Sequence, residues 1–433
     1  MVIDPQTLRI EGVYEQRQPG NFMLRVKVPA GTLAAEQAMQ VAEIADRFAG
    51  GSVHLTTRGS IELHWLKPDV LAEVWRMLAA VGLTTRGACG GAVRGVTCGP
   101  VASVHFPVVH SLAGKLHLHF TRNPHFEGLP KKFKIGVFAD GNDGRHLIQD
   151  LALVLAEADP EPRYDVWTAG GLGREPSPGF LLEAGVPEER IIPLAEAVVR
   201  VYKAQTPKGK RLKHLVRETG RDGFRQLVAE VRQDVLLPLT DSFTATLFPA
   251  SPAEAPVFVE APVFAGELST DELRDLATVA REYAGGFMAL TGDQNVLFRL
   301  ADGSRRDAAQ HALTKAGFGG EIREQRVSFR VCPGSHECRM GLVPTRDVAL
   351  AAIKAMGEKG LGREWSISGC PNSCSQPQLA AVGIVTVKSL KGDDGERRPL
   401  FDLLRGEGAD KFGVAVRQGL SLDELMDEVR RIG

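Results

Sequence analysis

The chain has 433 residues, of which 43% are hydrophobic and 24% charged, with a formal net charge of −1. That length exceeds one ordinary core and predicts two to four domains of a soluble, globular kind. The near-neutral balance gives no case for nucleic acid or an anionic membrane as partner. No apolar run approaches the roughly 20 residues needed to cross a bilayer, and the first residues lack a basic start followed by an apolar run. The expected compartment is the cytoplasm.

The first predicted strand is "FMLRVKVP", followed by a segment that recurs later. Gly31 to Leu83 aligns without a gap on Gly266 to Phe318. Ala49-Gly50-Gly51 falls on Ala284-Gly285-Gly286, Leu55-Thr56 on Leu290-Thr291, and Gly82 on Gly317. Each copy reads as a helix, an alternating strand (Val53 to Trp65; Met288 to Leu300) and a second helix. With a preceding strand ("FMLRVKVP"; "APVFAGEL") this is β-α-β-α, half of a ferredoxin-like sandwich. Two such halves are expected to pair into one sheet about a pseudo-twofold axis.

A longer α/β segment follows each copy. The first carries the turns "ADGNDG" and "TAGGLGREPSPG" and the basic helical stretch "KAQTPKGKRLKHLVRETG". "FPASPAEAPVF" (residues 248–258) reads as the linker between halves, and "LSLDELMDEVRRIG" as an amphipathic closing helix. The fold class is therefore α+β, with expected units 1–84, 85–248, 249–320 and 321–433.

Six cysteines are present: Cys89, Cys98, Cys332, Cys338, Cys370 and Cys374. The last four form two pairs, "CPGSHEC" and "CPNSC". In a reducing compartment clustered thiols more often bind metal than form disulfides. Four thiolates match an iron–sulfur cubane, one per iron. Zinc sites usually space their pairs by two to four residues, so Cys-x5-Cys fits zinc poorly. Zinc and unrelated core cysteines stay open as alternatives. A ferredoxin-type carrier would show Cys-x2-Cys runs, which are absent.

Cys-x5-Cys followed by Gly-Cys-Pro-Asn-x-Cys, after a duplicated ferredoxin-like half-domain, resembles the sirohaem-dependent nitrite and sulfite reductase family over nearly the whole chain. The resemblance implies a 4Fe–4S cluster on Cys332, Cys338, Cys370 and Cys374, with Cys374 also reaching the sirohaem iron. It implies an anion-binding set of Arg25, Arg94, Lys132 and Lys134, the last two projecting to one face of a strand. Arg58, Lys131, Gln294, Asn295 and Asn372 are the expected sirohaem contacts, beside the Gly-rich "GGLGREPSPG". The chain departs from the family at Gly59, where most members have Gln, and in being shorter, mainly before Arg25. Tyr14 and Cys89 lie in segments that are covalently linked in some members; the blander reading is a buried tyrosine and a free thiol. Cys98 reads as core, and His336 as a shell residue rather than a ligand.

Lysine at position 134, where nitrite reductases of the family tend to have Asn, favours sulfite as the oxyanion. No flavin or pyridine-nucleotide domain is visible, so a ferredoxin is the expected electron donor. Ferredoxin-nitrite reductase is the near alternative. The others are a precorrin ring-hydroxylating monooxygenase that uses its cluster without sirohaem, and a non-catalytic electron-transfer subunit.

Overall fold

The computed structural model describes residues 7–232, 256–391 and 396–433. In each repeat an amphipathic helix, Ala35–Phe48 or Thr270–Tyr283, buries one stripe. The buried positions are equivalent: Ala38, Val41, Ala42 and Ala45 in one copy, Leu273, Leu276, Ala277 and Ala280 in the other. The spacing of three and four residues puts each set on one face, and the two helices share one apolar core.

The long alternating strand expected in each copy is instead a hairpin. Ser52–Leu55 pairs with Ile61–Leu66, and Phe287–Leu290 with Val296–Arg299. The breaks are "TTRGS" and "TGDQN", where Gly59 and Gln294 adopt left-handed backbone with φ of 59° and 67°. Alternation runs through such a tight turn, so pattern alone merges the two strands.

The halves do not form one sheet; they exchange strands. Thr32–Ala34 of the first copy joins the second copy's sheet through Ala34↔Phe287, Leu33↔Met288 and Thr32↔Ala289. Glu267–Ser269 returns the exchange through Ser269↔Ser52, Leu268↔Val53 and Glu267↔His54. These registers superpose under the repeat offset, which makes the pseudo-twofold relation explicit.

The duplication extends further than the sequence pattern shows. The first α/β unit orders Thr97–Gly99, Ile135–Phe138 and Leu151–Glu157 in parallel, then adds Arg163–Thr168 and Phe180–Pro187 antiparallel. The second repeats that plan with Ser328–Val331, Glu364–Ser368 and Val382–Lys391, then Arg397–Arg405 and Val414–Leu420. Helices Ile191–Gln205 and Leu422–Ile432 close them. The second is the expected closing helix, capped by Ser421 and Glu424. Of the expected linker, residues 248–255 lie outside the described residues. Among the described residues no helix is long and apolar enough to cross a membrane.

Candidate functional site

Two adjacent parallel strands, Ser328–Val331 and Glu364–Ser368, deliver the four paired cysteines at their C-terminal ends, the usual place for a ligand in such sheets. The loops approach through glycine. A Cβ on Gly341 would lie 2.3 Å from the Gly334 carbonyl carbon, and one on Gly369 3.0 Å from Gly334 Cα. The Gly369 N–H donates to Cys332 Sγ at 3.2 Å. The CPNSC turn is pinned from beneath by serines: Ser366 Oγ donates to Ser375 O (2.7 Å), and Ser375 Oγ to Ile367 O (2.7 Å). From the first half-domain, Thr57 Oγ1 donates to Cys374 O at 2.9 Å. The exposed Asn372 side chain lies close enough to Cys370 to lower its thiol. Burial pushes the Cys338 thiol up to about 11 and raises those of Cys332 and Cys370, with the neighbouring sulfurs adding to each.

Facing Cys374 is a cage of cations. Lys132 and Lys134 flank buried Phe133 in the extended approach to the strand Ile135–Phe138, so both project to one side, as expected. Burial lowers Lys132 to about 8; Cys374 opposes the shift, and the charges of Arg211, Arg94 and Arg25 add to it. Burial lowers Lys134 as well, and the charges of Arg58, Lys132 and Arg211 add to that. Arg25, Arg94, Lys132 and Lys134 are thus one cluster beside Cys374. Arg25 Nε donates to Glu62 Oε1 at 3.0 Å, and this pairing outweighs burial and raises the guanidinium above its ordinary range. Tyr14 and Cys89 come together here, both acting on Arg25; the Tyr14 hydroxyl lies 3.5 Å from the Gly90 amide.

Arg94 does not offer an open fork. Its terminal nitrogens donate to Gly87 O (3.1 Å) and Gly90 O (2.8 Å), fixing the loop that carries Cys89. Arg211, which the basic stretch hid among its neighbours, is buried beneath the lysines and donates to Asp150 Oδ2 at 2.7 Å. Asp150 also accepts the Lys134 backbone N–H at 2.8 Å. Lys213 donates to Gly171 O (3.2 Å) and Leu172 O (3.3 Å), holding the Gly-rich loop.

Several of the residues expected at the macrocycle also hold protein partners. Gln294 Nε2 donates to Leu55 O (2.8 Å) and Val331 O (3.0 Å), while its Oε1 accepts from Val331 N (2.7 Å). Asn295 Nδ2 donates to Glu260 Oε1 (2.8 Å), and its Oδ1 accepts from Val263 N (2.9 Å). Both amides weld loops together. Arg58 donates to Gln149 Oε1 (2.8 Å) and Gly95 O (2.9 Å). Lys131 lies on the surface. Gly59 lines a cavity of about 260 Å³ together with Gly31, Arg58 and Leu290. Cys98 packs against the first α/β core, as expected.

Known proteins match along this whole frame. The "Nitrite/Sulfite reductase ferredoxin-like half domain" matches residues 14–81 and 253–316, the two exchanged copies. The "Nitrite and sulphite reductase 4Fe-4S domain" matches residues 89–235. The chain belongs to the nitrite and sulfite reductase family. A ferredoxin–nitrite reductase of Synechococcus elongatus is 29% identical over 96% of this chain and 86% of its own length. A sulfite reductase [ferredoxin] of Mycolicibacterium paratuberculosis is 26% identical over 96% and 80%. The solved structure of Mycobacterium tuberculosis NirA shares the fold, with a TM-score of 0.82 at 23% identity over 98% of this chain and 86% of that one. This family member is an oxidoreductase, and its cofactors are a 4Fe–4S cluster and sirohaem.

The residues fit the cluster. A single zinc ion at Zn–S distances near 2.3 Å would hold its sulfurs about 3.8 Å apart. Among the described residues no three of the cysteine sulfurs lie within 4.8 Å of one another. They nevertheless feel one another's charge, as four sulfurs spread around a larger inorganic core should. A peptide N–H aimed at Cys332 Sγ suits a thiolate ligand.

Proposed function

We propose that the chain is a ferredoxin-dependent sulfite reductase of the cytoplasm, reducing sulfite to sulfide by six electrons. The observation that carries this is the convergence of Arg25, Arg94, Lys132 and Lys134 beside Cys374. Cys332, Cys338, Cys370 and Cys374 would hold the 4Fe–4S cluster, and sirohaem bound beside Cys374 would supply the anion-binding and redox chemistry. The chain's own residues do the rest. The cage lowers the free energy of a bound anion through positive charge already held in place. Arg25, steadied by Glu62, remains a fixed charge. Lys132, lowered to about 8, can give up a proton and regain it. Arg94 shapes the wall and adds charge. Arg58, Asn372 and Lys131 are proposed to face the macrocycle's carboxylates. Ferredoxin delivers the electrons.

Lys134 favours sulfite, since a second lysine suits a dianion. Nitrite reduction is the second reading, favoured by the likeness to the Synechococcus enzyme. The purified protein should show sirohaem bands and a higher kcat/KM for sulfite than for nitrite with reduced ferredoxin. Lys134→Asn should move that ratio toward nitrite by about tenfold, or 1.4 kcal/mol. An equal or higher kcat/KM for nitrite would instead favour the second reading.

A further inference from the structure

One face of the first half-domain's sheet carries a row of polar side chains across four strands. Arg25 lies opposite Glu62, Glu62 opposite His54, and His54 opposite Glu267. His64 is two residues beyond Glu62 and so on the same face. Glu62 gives Oε1 to Arg25, and its Oε2 lies 3.4 Å from both His54 Nδ1 and His64 Nε2. Both ring nitrogens of His64 are shut off from solvent with no hydrogen bond. At the outer end Glu267 pairs with Arg346, which also holds Glu337. The inner end is Arg25, in the cation cage.

The second copy is an internal control. Its equivalent row reads Glu260, Leu297, Ala289 and Thr32 in the same register, with Arg299 at the position of His64. The backbone therefore closes with leucine and alanine where the first copy buries a carboxylate and an imidazole. Burying such groups costs several kcal/mol unless they are well paired. The fold does not require them, and only the first copy's row ends at the cage.

Resting on the oxyanion-reductase reading above, we propose that His54, His64 and Glu62 are the proton-supply line of the active site, with Glu267 and Arg346 at its mouth. Each sulfite takes six electrons from ferredoxin and eight protons, and leaves as hydrogen sulfide and three waters. Nitrite takes the same number of each and leaves as ammonium and two waters. A proton entering at an imidazole nitrogen passes to Glu62 Oε2. From there it crosses the solvated side of Arg25, whose side chain is 30% exposed, to a departing oxygen. Arg25 keeps its own proton throughout. Burial lowers His64, so it rests neutral, while Arg25 foremost and the two histidines hold Glu62 ionised. The other charged or titratable groups facing the row are Arg346, Glu337 and Glu267, with Cys89 and Tyr14 around Arg25. Negative charge arriving at the cage raises the proton affinity of the row and draws protons inward.

The test uses the holoenzyme and His54→Ala, the residue that the second copy places there, with His64→Asn and Glu62→Gln as independent variants. Sulfite and nitrite affinities come from titrating the optical spectrum without electron donor; kcat, its pH profile and its solvent isotope effect come from turnover. Affinity should stay within about twofold for the histidine variants. Their kcat should fall at least about tenfold, with a larger isotope effect and partial rescue of His54→Ala by added imidazole. Parent-like kcat and isotope effect in all three variants would overturn the proposal. So would a parallel loss of affinity and kcat without rescue, or a stoichiometric divalent metal that leaves with His54→Ala. If the unmodified holoenzyme reduces neither anion, the reductase reading itself fails, a result separate from any of these.

Discussion

Burial and pairing decide what each cation in the cage can do. Arg25 has Glu62 as a partner and keeps its charge at any working pH, whereas burial brings Lys132 to about 8. The sign follows from that lowering. The Lys132 cation is present below about 8 and is lost as pH rises through it, so anion affinity should be highest below that value and decline above it. Spectral titrations of sulfite from pH 6.5 to 9.5 should show this decline, and Lys132→Gln should flatten it in part, since burial lowers Lys134 too, while lowering affinity at neutral pH. Cys374→Ser belongs to the same scale. If one sulfur serves both metal centres, the variant should lose or uncouple sirohaem and cluster together, read from iron content and spin coupling. At this scale the sequence was most legible where chemistry is carried by residue type: the cysteine pairs and the Lys-x-Lys face. It was least legible for side chains whose role depends on what they touch. Gln294 and Asn295 read as cofactor contacts from the sequence, and the bonds they make in the fold tie loops together. Glu62, His54 and His64 passed as ordinary alternation within a strand.

At the scale of elements, the helix Phe106–Phe120 shows how one segment can govern acid stability. It buries His110 and His117, both lowered to about 4 chiefly by burial. His110 is held at 2.9 Å by Thr32 Oγ1 on the exchanged strand. An unfolded histidine titrates near 6.5, so below that pH the unfolded chain binds protons that the folded helix refuses. Stability should therefore fall as pH drops from about 6.5 to about 4, by up to about 3 kcal/mol for each histidine. His117→Leu should roughly halve the helix's share of that loss, measured as the difference in unfolding free energy between pH 7.5 and pH 5. A variant with an unchanged pH difference would place the acid sensitivity elsewhere. The amphipathic helices were legible because a burial stripe repeats every three or four residues. The hairpins were not, because period-two alternation continues through a five-residue turn. The second level of duplication was hidden because loops of different length separate the matching strands of the two α/β units.

At the scale of the molecule, two half-domains exchange strands, and each α/β unit meets the other across the joint. Gln294 sits where these parts converge. It belongs to the second half-domain's hairpin, donates to Leu55 in the first, and brackets Val331 immediately before Cys332. The residue is 1% exposed, so water cannot replace a lost partner. Its repeat equivalent, Gly59, has no side chain and makes no such bonds; a Cβ there would lie 3.0 Å from Gly31 Cα and Leu290 O. The cluster side of the joint is therefore the tightened side. Gln294→Ala would strand two carbonyls and one amide of the backbone in a dry interior, at about 1–3 kcal/mol for each group left unpaired. The expected loss is about 3 kcal/mol or more in chemical denaturation, with loosened retention of iron, because Val331 sets the position of Cys332. Gln294→Glu separates the two effects: it keeps an acceptor for the Val331 N–H but removes both donors and introduces a buried charge, so it should be at least as damaging as Ala. A Gln294→Ala protein that unfolds like the parent and keeps its full iron complement would show that the halves are held by their exchanged strands alone.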